Sequence, residues 1–296
     1  MRIVTGYVLY NPLAGNGKSE SDARLLELVL PYKLRFFDMT RITNYEAFLA
    51  GMEKGDFLIL AGGDGTLNRF VNATAHLACV HKIFCFPIGT GNDFAKDLGK
   101  EAFTEPFPIT GYLQALPVVE VKGKEYRFLN GVGYGIDGYC CQVGDALKKL
   151  PGRKVNYTTI AIKGLLFHYK ARNARVTVDG KAYDYKNVCI APTMLGRYYG
   201  GGMIPTPGQD RWDPEGKLSL MVFHGAGRLR TLCIFPGIFK GKHIKHKKRV
   251  AIHSGYEITV EFDRPTPLQI DGETIPNVTK YTARSVRIYA KKKEYA

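Results

Sequence analysis

Residues 57–66 read Phe-Leu-Ile-Leu-Ala-Gly-Gly-Asp-Gly-Thr, of which residues 57–60 are an apolar run, and lead into Leu67-Asn68-Arg69-Phe70-Val71. This order predicts a buried strand, a glycine loop and a helix. Glycines let the loop backbone approach an anion without intervening side chains, and the positive end of a following helix favours phosphate. Thr66 is expected to cap that helix. Taken alone, the loop is equally consistent with a tight turn and with a phosphate-binding loop.

Two further loops have the same design. Asn11-Pro12-Leu13-Ala14-Gly15-Asn16-Gly17 follows the β-rich segment Ile3–Tyr10, and Gly89-Thr90-Gly91-Asn92-Asp93 follows the strand candidate Ile83–Pro87. The first loop is not a P-loop, because Pro12 stands where that motif requires glycine. Loops at the carboxyl ends of parallel strands converge on one crevice. The three loops therefore predict a nucleotide-binding α/β domain.

The chain has 296 residues, of which 45% are hydrophobic, so two domains are expected. We predict a three-layer α/β domain with a parallel sheet at residues 1–120 and a β-sandwich at 121–296, where short strand candidates follow sandwich spacing. The last strand candidate, Ser285–Ala290, belongs to the second domain or returns to the first. Gly133–Gly138 matches GxGxxG, but no βαβ unit surrounds it, so we do not interpret it as a dinucleotide site.

The net charge limits the classes of partner that the chain can bind, and the cysteine spacing limits its metal sites and redox state. The net charge of +15 indicates an acidic partner, for which nucleic acid, an anionic membrane and a phosphorylated substrate all qualify. The six cysteines lack CxxC spacing, so reduced thiols and no zinc site are expected. No signal peptide or membrane-length apolar run is seen, which favours a cytoplasmic protein. The densest basic run comprises Lys240, Lys242, Lys245, Lys247, Lys248 and Arg249.

Five motifs occur in a fixed order along the chain. They are Asn11-Pro12-x-x-Gly15-x-Gly17, Gly62–Thr66, Gly89–Ala95, Tyr198–Met203 and Asp271-Gly272-Glu273. With these motifs the chain resembles the diacylglycerol kinase catalytic family, and more closely its soluble bacterial lipid kinases. The resemblance implies a nucleotide-binding α/β domain, a β-sandwich domain and an active site in the cleft between them.

The resemblance also implies an activity, which is transfer of the γ-phosphate of ATP, with Mg²⁺, to a lipid hydroxyl such as that of diacylglycerol. By similarity, Glu273 is the expected general base and Asp64 orders Mg²⁺ through water or aids deprotonation, although the two roles can be exchanged. Asp93 and Asp271 are expected to support them. The residues expected at the nucleotide are Asn11, Gly15, Gly17, Gly62, Gly63, Gly65, Thr66, Gly89, Thr90, Gly91 and Asn92.

One segment departs from the family pattern. Relatives carry an aspartate-glycine pair followed by a leucine-aspartate pair, whereas this chain reads Glu215-Gly216-Lys217-Leu218-Ser219. In some relatives this segment helps to bind a structural Mg²⁺. Asp210 and Asp213 still offer oxygen ligands, but we assign no metal ligands here.

Three alternatives remain beside a lipid kinase. An NAD kinase shares the Gly62–Thr66 loop and acts on a soluble dinucleotide, and a lipid-binding regulator without catalysis would tolerate Ser219. Nucleic-acid binding ranks last, because no stacking module accompanies the charge. For a lipid kinase, the basic run Lys240–Arg249 suits peripheral docking on an anionic membrane, its other interpretation being a solvated face. The lipid and the oligomeric state stay open.

Overall fold

A computed structural model describes residues 3–14, 17–77, 80–148 and 157–285 of the chain. It divides into two compact units, Met1–Leu116 and Pro117–Ala296, which are treated separately below. Within the described ranges, no helix is both long enough and apolar enough to cross a bilayer.

The first unit alternates strands and helices. Its strands are β1 (Thr5–Tyr10), β2 (Lys33–Asp38), β3 (Phe57–Gly62), β4 (Lys82–Pro87) and β5 (Phe107–Pro108). Its helices are α1 (Ser19–Arg24), α2 (Leu26–Val29), α3 (Tyr45–Ala50), α4 (Asp64–Ala73), α5 (Asp93–Asp97) and α6 (Thr110–Leu113).

These strands form one sheet in the order β2-β1-β3-β4-β5, parallel except for the short β5. Alternate residues of β1 face opposite layers. Val8 packs in a cluster with Ala23 and Leu26, whereas the Tyr7 ring contacts Phe48 of α3 on the other face. Burial on both faces is what a parallel sheet covered by helices requires. The predicted α/β architecture is confirmed.

The second unit is mainly antiparallel. Its helices are α7 (Ile136–Lys148), α8 (Tyr157–Lys163), followed by a π turn at Gly164–His168, and α9 (Arg228–Ile234), followed by 3₁₀ turns at Phe235–Lys240 and Lys242–Lys245. Its strands are β6 (Val118–Val121), β7 (Lys124–Arg127), β8 (Gly131–Tyr134), β9 (Arg172–Val178), β10 (Lys181–Val188), β11 (Thr193–Met194), β12 (Leu218–Phe223), β13 (Val250–Gly255), β14 (Glu257–Ile270) and β15 (Glu273–Arg284).

The long strand β14 organises this unit. Residues 258–262 pair with β9, and residues 268–270 pair with β8, with an irregularity in register between Glu261 and Thr266. The described strands of this unit form one hydrogen-bonded network in the order β13-β12-β11-β8-β14-β15-β6-β7, with β9 paired to β14 and β10 to β9. The sequence pattern predicts two strands here, Tyr256–Phe262 and Leu268–Ile270, because Pro265 and Pro267 interrupt it, whereas the structure has one continuous strand. The predicted strand Ser285–Ala290 lies almost wholly outside the described residues.

Candidate functional site

The register of the first sheet brings three glycine loops to one edge. Tyr10 pairs with Ala61, and Gly62 pairs with Pro87, so β1, β3 and β4 end at the same level. The loops that follow these strands therefore leave the sheet side by side. This is the convergence that a parallel sheet predicts at its carboxyl edge.

The loops after β3 and β4 touch backbone to backbone. A Cβ atom built on Gly89 would lie 2.7 Å from Asn92 Oδ1 and closer still to the Gly63 Cα. A Cβ atom on Gly63 would in turn lie 2.9 Å from the Gly89 Cα. Only glycine fits at both positions without displacing the opposite backbone, because packed interiors leave no space for an added methyl group.

Asp64 joins the same two loops by hydrogen bonds. Its Oδ2 accepts the Asp93 N–H at 2.9 Å, and its Oδ1 accepts the Phe94 N–H at 2.8 Å. These N–H groups open α5, so the carboxylate caps a helix that belongs to the next strand–helix unit. Asn92, just before α5, adopts a left-handed conformation and donates its amide N–H to the Gly89 carbonyl at 2.7 Å.

Thr66 does not cap α4, which corrects the sequence prediction. The helix begins at Asp64 after Gly63, so Thr66 lies inside its first turn with its backbone N–H bonded to the Gly63 carbonyl. The Thr66 hydroxyl packs against Gly62 and is buried, and no described residue pairs with it or with Asn92 Oδ1. Buried polar atoms of this kind call for a partner. The Thr66 hydroxyl can donate a hydrogen bond, so together with the glycine cradle it fits a bound phosphate-bearing group.

The remaining nucleotide candidates lie around this pair of loops. Asn11 follows β1, and its side-chain oxygen accepts the Leu13 N–H at 3.0 Å, which forms an Asx turn. Gly17 has φ of +83° and open space around it. Gly65, Thr90 and Gly91 lie at least partly exposed. Gly15 lies outside the described residues.

The floor beneath the loops is closed and apolar. Gly62, Gly63 and Asp64 line a narrow crevice with Cys85 and Phe94, and it is too tight to admit a water molecule. Burial raises the pKa of the Cys85 thiol far above its usual range, and the nearby Asp64 charge adds to the effect. The thiol therefore stays protonated and acts as a small apolar group.

The second half of the predicted site is the turn between β14 and β15. Asp271 and Gly272 have φ of +47° and +97°, and Ile270 pairs with Glu273 across the turn. Two successive residues with positive φ make a type I′ hairpin, for which Asp-Gly is a favoured sequence. The turn leaves Glu273 exposed at the first position of β15, while the Asp271 side chain is buried.

The Asp271 carboxylate fixes this turn from one side. It accepts the N–H groups of Leu129, Asn130 and Gly131 at 2.7, 2.8 and 3.0 Å. The buried Arg211 holds the same segment, donating to the Leu129 carbonyl and, at 3.0 Å, to Asn130 Oδ1. Asp271 thus has the geometry of a supporting residue. Arg211 was not singled out from the sequence, where it stands beside Asp210 in an apparently polar loop.

Two more buried residues, Asp137 and Gln269, were given no role by sequence reasoning. Asp137, in the first turn of α7, is 6% exposed, accepts the Tyr199 hydroxyl at 3.1 Å and lies beside the side-chain amide of Gln269. Tyr199 belongs to the motif Tyr198–Met203, whose three glycines have positive φ and whose ends, Tyr199 and Met203, are paired. The available signal was an aspartate within the apolar segment Val132–Cys141. The GxGxxG match Gly133–Gly138 begins in β8, which pairs antiparallel with β11 and β14. It therefore does not lie in the parallel βαβ unit of a dinucleotide-binding fold, as the sequence predicted.

The aspartates of the acidic segment 210–215 accept hydrogen bonds from nearby backbone N–H groups and so stabilise local turns. Asp213 accepts the backbone N–H groups of Glu215 at 3.3 Å and Lys217 at 2.8 Å, and Asp210 accepts that of Trp212 at 2.9 Å. Glu215 forms an ion pair with Lys217. Across the part of the chain that the structure describes, no group of three or more His, Cys, Asp or Glu side chains is arranged to hold a metal.

The basic run surrounds the two 3₁₀ turns after α9. Its five lysines are exposed, whereas Arg249 is half-buried and donates to the Gly225 carbonyl. His243 within the run is buried and bonds to the Pro205 carbonyl at 2.8 Å, which fixes the segment to the fold. The lysines therefore form a displayed basic surface, and Arg249 anchors it.

Family models match both units. Residues 5–113 match the diacylglycerol kinase catalytic domain, and residues 130–291, more than half of the chain, match the YegS C-terminal NAD kinase beta sandwich-like domain. The two matches follow one another in the order that the sequence motifs predict.

Curated relatives and a solved structure agree. A diacylglycerol kinase of Mycobacterium tuberculosis is 26% identical over 251 residues, covering 80% of this chain and 79% of its own length. A Bacillus subtilis diacylglycerol kinase is 27% identical over 234 residues, covering 76% and 73%. The crystal structure of a Bacillus anthracis diacylglycerol kinase superimposes with a TM-score of 0.58 at 19% identity, over 96% of this chain and 94% of that one, which supports the fold. The chain thus belongs to the diacylglycerol kinase catalytic family and is a phosphotransferase.

Proposed function

We propose that this chain transfers the γ-phosphoryl group of ATP to a hydroxyl of a membrane lipid, diacylglycerol or a close relative. The observation that carries the proposal is the pair of glycine loops joined by Asp64, next to which the buried Thr66 hydroxyl has no partner among the described residues. Phosphoryl transfer needs such a preorganised cradle more than it needs covalent chemistry from the protein. The relatives named diacylglycerol kinase support the lipid class of acceptor.

The surroundings of the two acidic candidates favour different roles. Each Asp64 oxygen already accepts a backbone N–H, which suits a group that holds the loops in register. Glu273 is exposed at the end of a rigid hairpin, which suits a group that meets an acceptor hydroxyl. We therefore assign the general base to Glu273 and the positioning of the nucleotide loops to Asp64.

Mg²⁺ fits this donor set through water and phosphate rather than through a protein cage. The described residues hold no cluster of three potential ligands, and Mg²⁺ in kinases is commonly held by one or two carboxylates together with substrate phosphates and water. Asp64 is the carboxylate at the cradle. When bound, the ion would offset negative charge on the phosphates.

A lipid acceptor requires contact with a bilayer, and we propose the surface of Lys240, Lys242, Lys245, Lys247 and Lys248 for it. The exposed Phe239 directly precedes the first of these lysines and the exposed Ile244 lies between Lys242 and Lys245, and both side chains can enter the headgroup region. Each lysine near an anionic surface contributes on the order of 1 kcal/mol, screened by salt. The occupant is thus an anionic membrane.

The direct test is a kinase assay with labelled ATP on vesicles that contain a panel of lipids, with NAD as a soluble acceptor in a parallel reaction. We expect a phosphorylated lipid, identified by mass, and no NADP. Labelled NADP without labelled lipid would favour the dinucleotide alternative. Vesicle binding without transfer to any acceptor would favour a regulator.

The roles of the two acids predict different kinetic effects. Glu273→Gln should lower kcat by about 10²- to 10⁴-fold with little change in the KM for ATP, because general-base catalysis contributes factors of this size. Asp64→Asn should also raise the KM for ATP, because an amide nitrogen cannot accept one of the two N–H groups. The matched control is Glu261→Gln, an exposed glutamate of β14. Wild-type kcat in Glu273→Gln would contradict the assignment.

A further inference from the structure

The buried side chain of Gln269 contacts the Asp271-Gly272-Glu273 turn, and the buried Asp137 lies behind Gln269. Gln269 Oε1 accepts the Gly272 N–H at 2.6 Å. Gln269 is 2% exposed, one residue before the end of β14. An N–H donor fixes the amide with its oxygen toward the turn, so its nitrogen must point the other way.

The Gln269 nitrogen points at Asp137. The amide lies close enough to the Asp137 carboxylate to stabilise its charged form, and Asp137 Oδ2 also accepts the Tyr199 hydroxyl at 3.1 Å. Gly133 is the register partner of Gln269 on β8, and a Cβ atom there would collide with Asp137 Oδ2 and lie 2.5 Å from Gln269 Nε2. Gly138 likewise lets α7 approach β14, because its Cβ would collide with the Pro267 carbonyl. The glycines at 133 and 138 thus make room for this contact.

We propose that Asp137 and Gln269 are positioning residues, which form a buried relay from Tyr199 to the Gly272 N–H and hold the turn that presents Glu273. The relay joins two of the sequence motifs, the glycine loop at Tyr198–Met203 and the Asp-Gly-Glu turn. This inference rests on the proposed role of Glu273 for its effect on catalysis, whereas the relay itself stands on the contacts above.

The relay has a titratable end. Burial raises the pKa of Asp137 to about 6, against the opposing effect of its hydrogen bonds. The ionisable groups that sense its charge, all with raised pKa values and therefore neutral near pH 6, are Cys140, Cys189, Tyr169, Tyr199 and Tyr281. Protonation of Asp137 removes the charge that orients the Gln269 amide, and the Gly272 N–H should respond.

Selective isotope labelling isolates this response. Asp-Gly pairs occur four times in the sequence, with glycines at 65, 138, 180 and 272, so ¹³C-carbonyl aspartate with ¹⁵N-glycine yields four amide signals. In the wild type, the Gly138 and Gly272 signals should shift together with a midpoint near pH 6, while Gly65 and Gly180 serve as internal controls. Gln269→Met should abolish the shift of Gly272 and keep that of Gly138. Independent behaviour of Gly138 and Gly272 in the wild type would overturn the relay.

The catalytic readout is the split between kcat and KM. Gln269→Met should lower kcat by on the order of 10- to 100-fold with the KM for ATP unchanged, because a misplacement of about 1 Å at a reacting group can cost about 100-fold. The control is Thr282→Val, which removes a hydroxyl bonded to Thr259 on the same pair of strands. Wild-type kcat in Gln269→Met would refute the positioning role.

A second variant keeps the relay testable if Gln269→Met does not fold. Tyr199→Phe removes one hydrogen bond from the Asp137 carboxylate, so the pKa of Asp137 should rise and the midpoints of Gly138 and Gly272 should rise together. A shift of Gly138 alone would overturn the relay. If the wild type phosphorylates no lipid, the proposed function fails, whereas the labelled-amide titration still decides the relay.

Discussion

At the scale of single residues, the predicted nucleotide-binding loops depend on two positions at which a Cβ atom has no space. Gly63 and Gly89 bring two loops into backbone contact, and Asp64 then reaches the first N–H groups of α5. The backbone of neither glycine has a positive φ angle. Steric space, rather than an unusual backbone conformation, is therefore what requires glycine at these two positions.

Gly89→Ala should lower the free energy of unfolding by about 1–3 kcal/mol, because overpacking forces backbone shifts. It should also weaken nucleotide binding by displacing Asn92. Gly208→Ala is the matched control, since no atom lies within 4 Å of the added Cβ. Urea unfolding and ATP titration by calorimetry measure both effects. Equal stability of the two variants would contradict the close contact.

At the scale of elements, two hairpins of the second unit have the same Asp-Gly turn, but the aspartate carboxylate is exposed in one and buried in the other. Asp179-Gly180 joins β9 to β10 with φ of +46° and +83°, and Asp179 accepts the Tyr256 and Glu257 N–H groups at 2.9 and 2.8 Å. Asp271-Gly272 repeats the turn, but its carboxylate is buried and serves three N–H groups. Water can replace the hydrogen bonds of the exposed Asp179 carboxylate, but it cannot reach the N–H groups that the buried Asp271 carboxylate accepts.

Asp271→Ala should therefore destabilise the protein by on the order of 3–5 kcal/mol, because buried donors left without acceptors each cost about 1–3 kcal/mol. Asp179→Ala should cost only about 1 kcal/mol, like the loss of an exposed cap. The penalty of alanine at positive φ is common to both variants and cancels in the comparison. Urea denaturation measures the difference, and equal losses would show that the burial of Asp271 has no energetic consequence.

At the scale of the whole molecule, the distribution of charge matters more than its sum of +15. The five lysines between residues 240 and 248 are displayed on one short segment, which a buried His243 fixes in place. Fixed charges gain more from an anionic surface than mobile ones, because less side-chain and backbone entropy is lost on binding. A basic surface built in this way is suited to reversible docking.

Charge reversal of Lys245, Lys247 and Lys248 to glutamate should weaken binding to anionic vesicles at low salt by at least about 100-fold, at roughly 1 kcal/mol for each lysine. Reversal of Lys33, Lys82 and Lys124, three exposed and scattered lysines, changes the net charge equally and is the control. Vesicle sedimentation at two salt concentrations measures the affinities. Equal losses in both variants would assign the effect to net charge alone.

The sequence by itself determined the α/β architecture of the first unit, its three glycine loops and the family, because strand periodicity and glycine spacing are local properties. It missed β15, since Pro276 and the left-handed Asn277 interrupt the strand pattern while pairing resumes at Val278. It also predicted Thr66 as the cap of α4, whereas that helix begins at Asp64 after Gly63 and Thr66 lies inside its first turn. Only the tertiary structure decided that Asp64 caps a helix 29 residues away, and that Asp137 and Gln269 meet behind Glu273. Such contacts depend on how distant segments pack, which no local pattern in the sequence records.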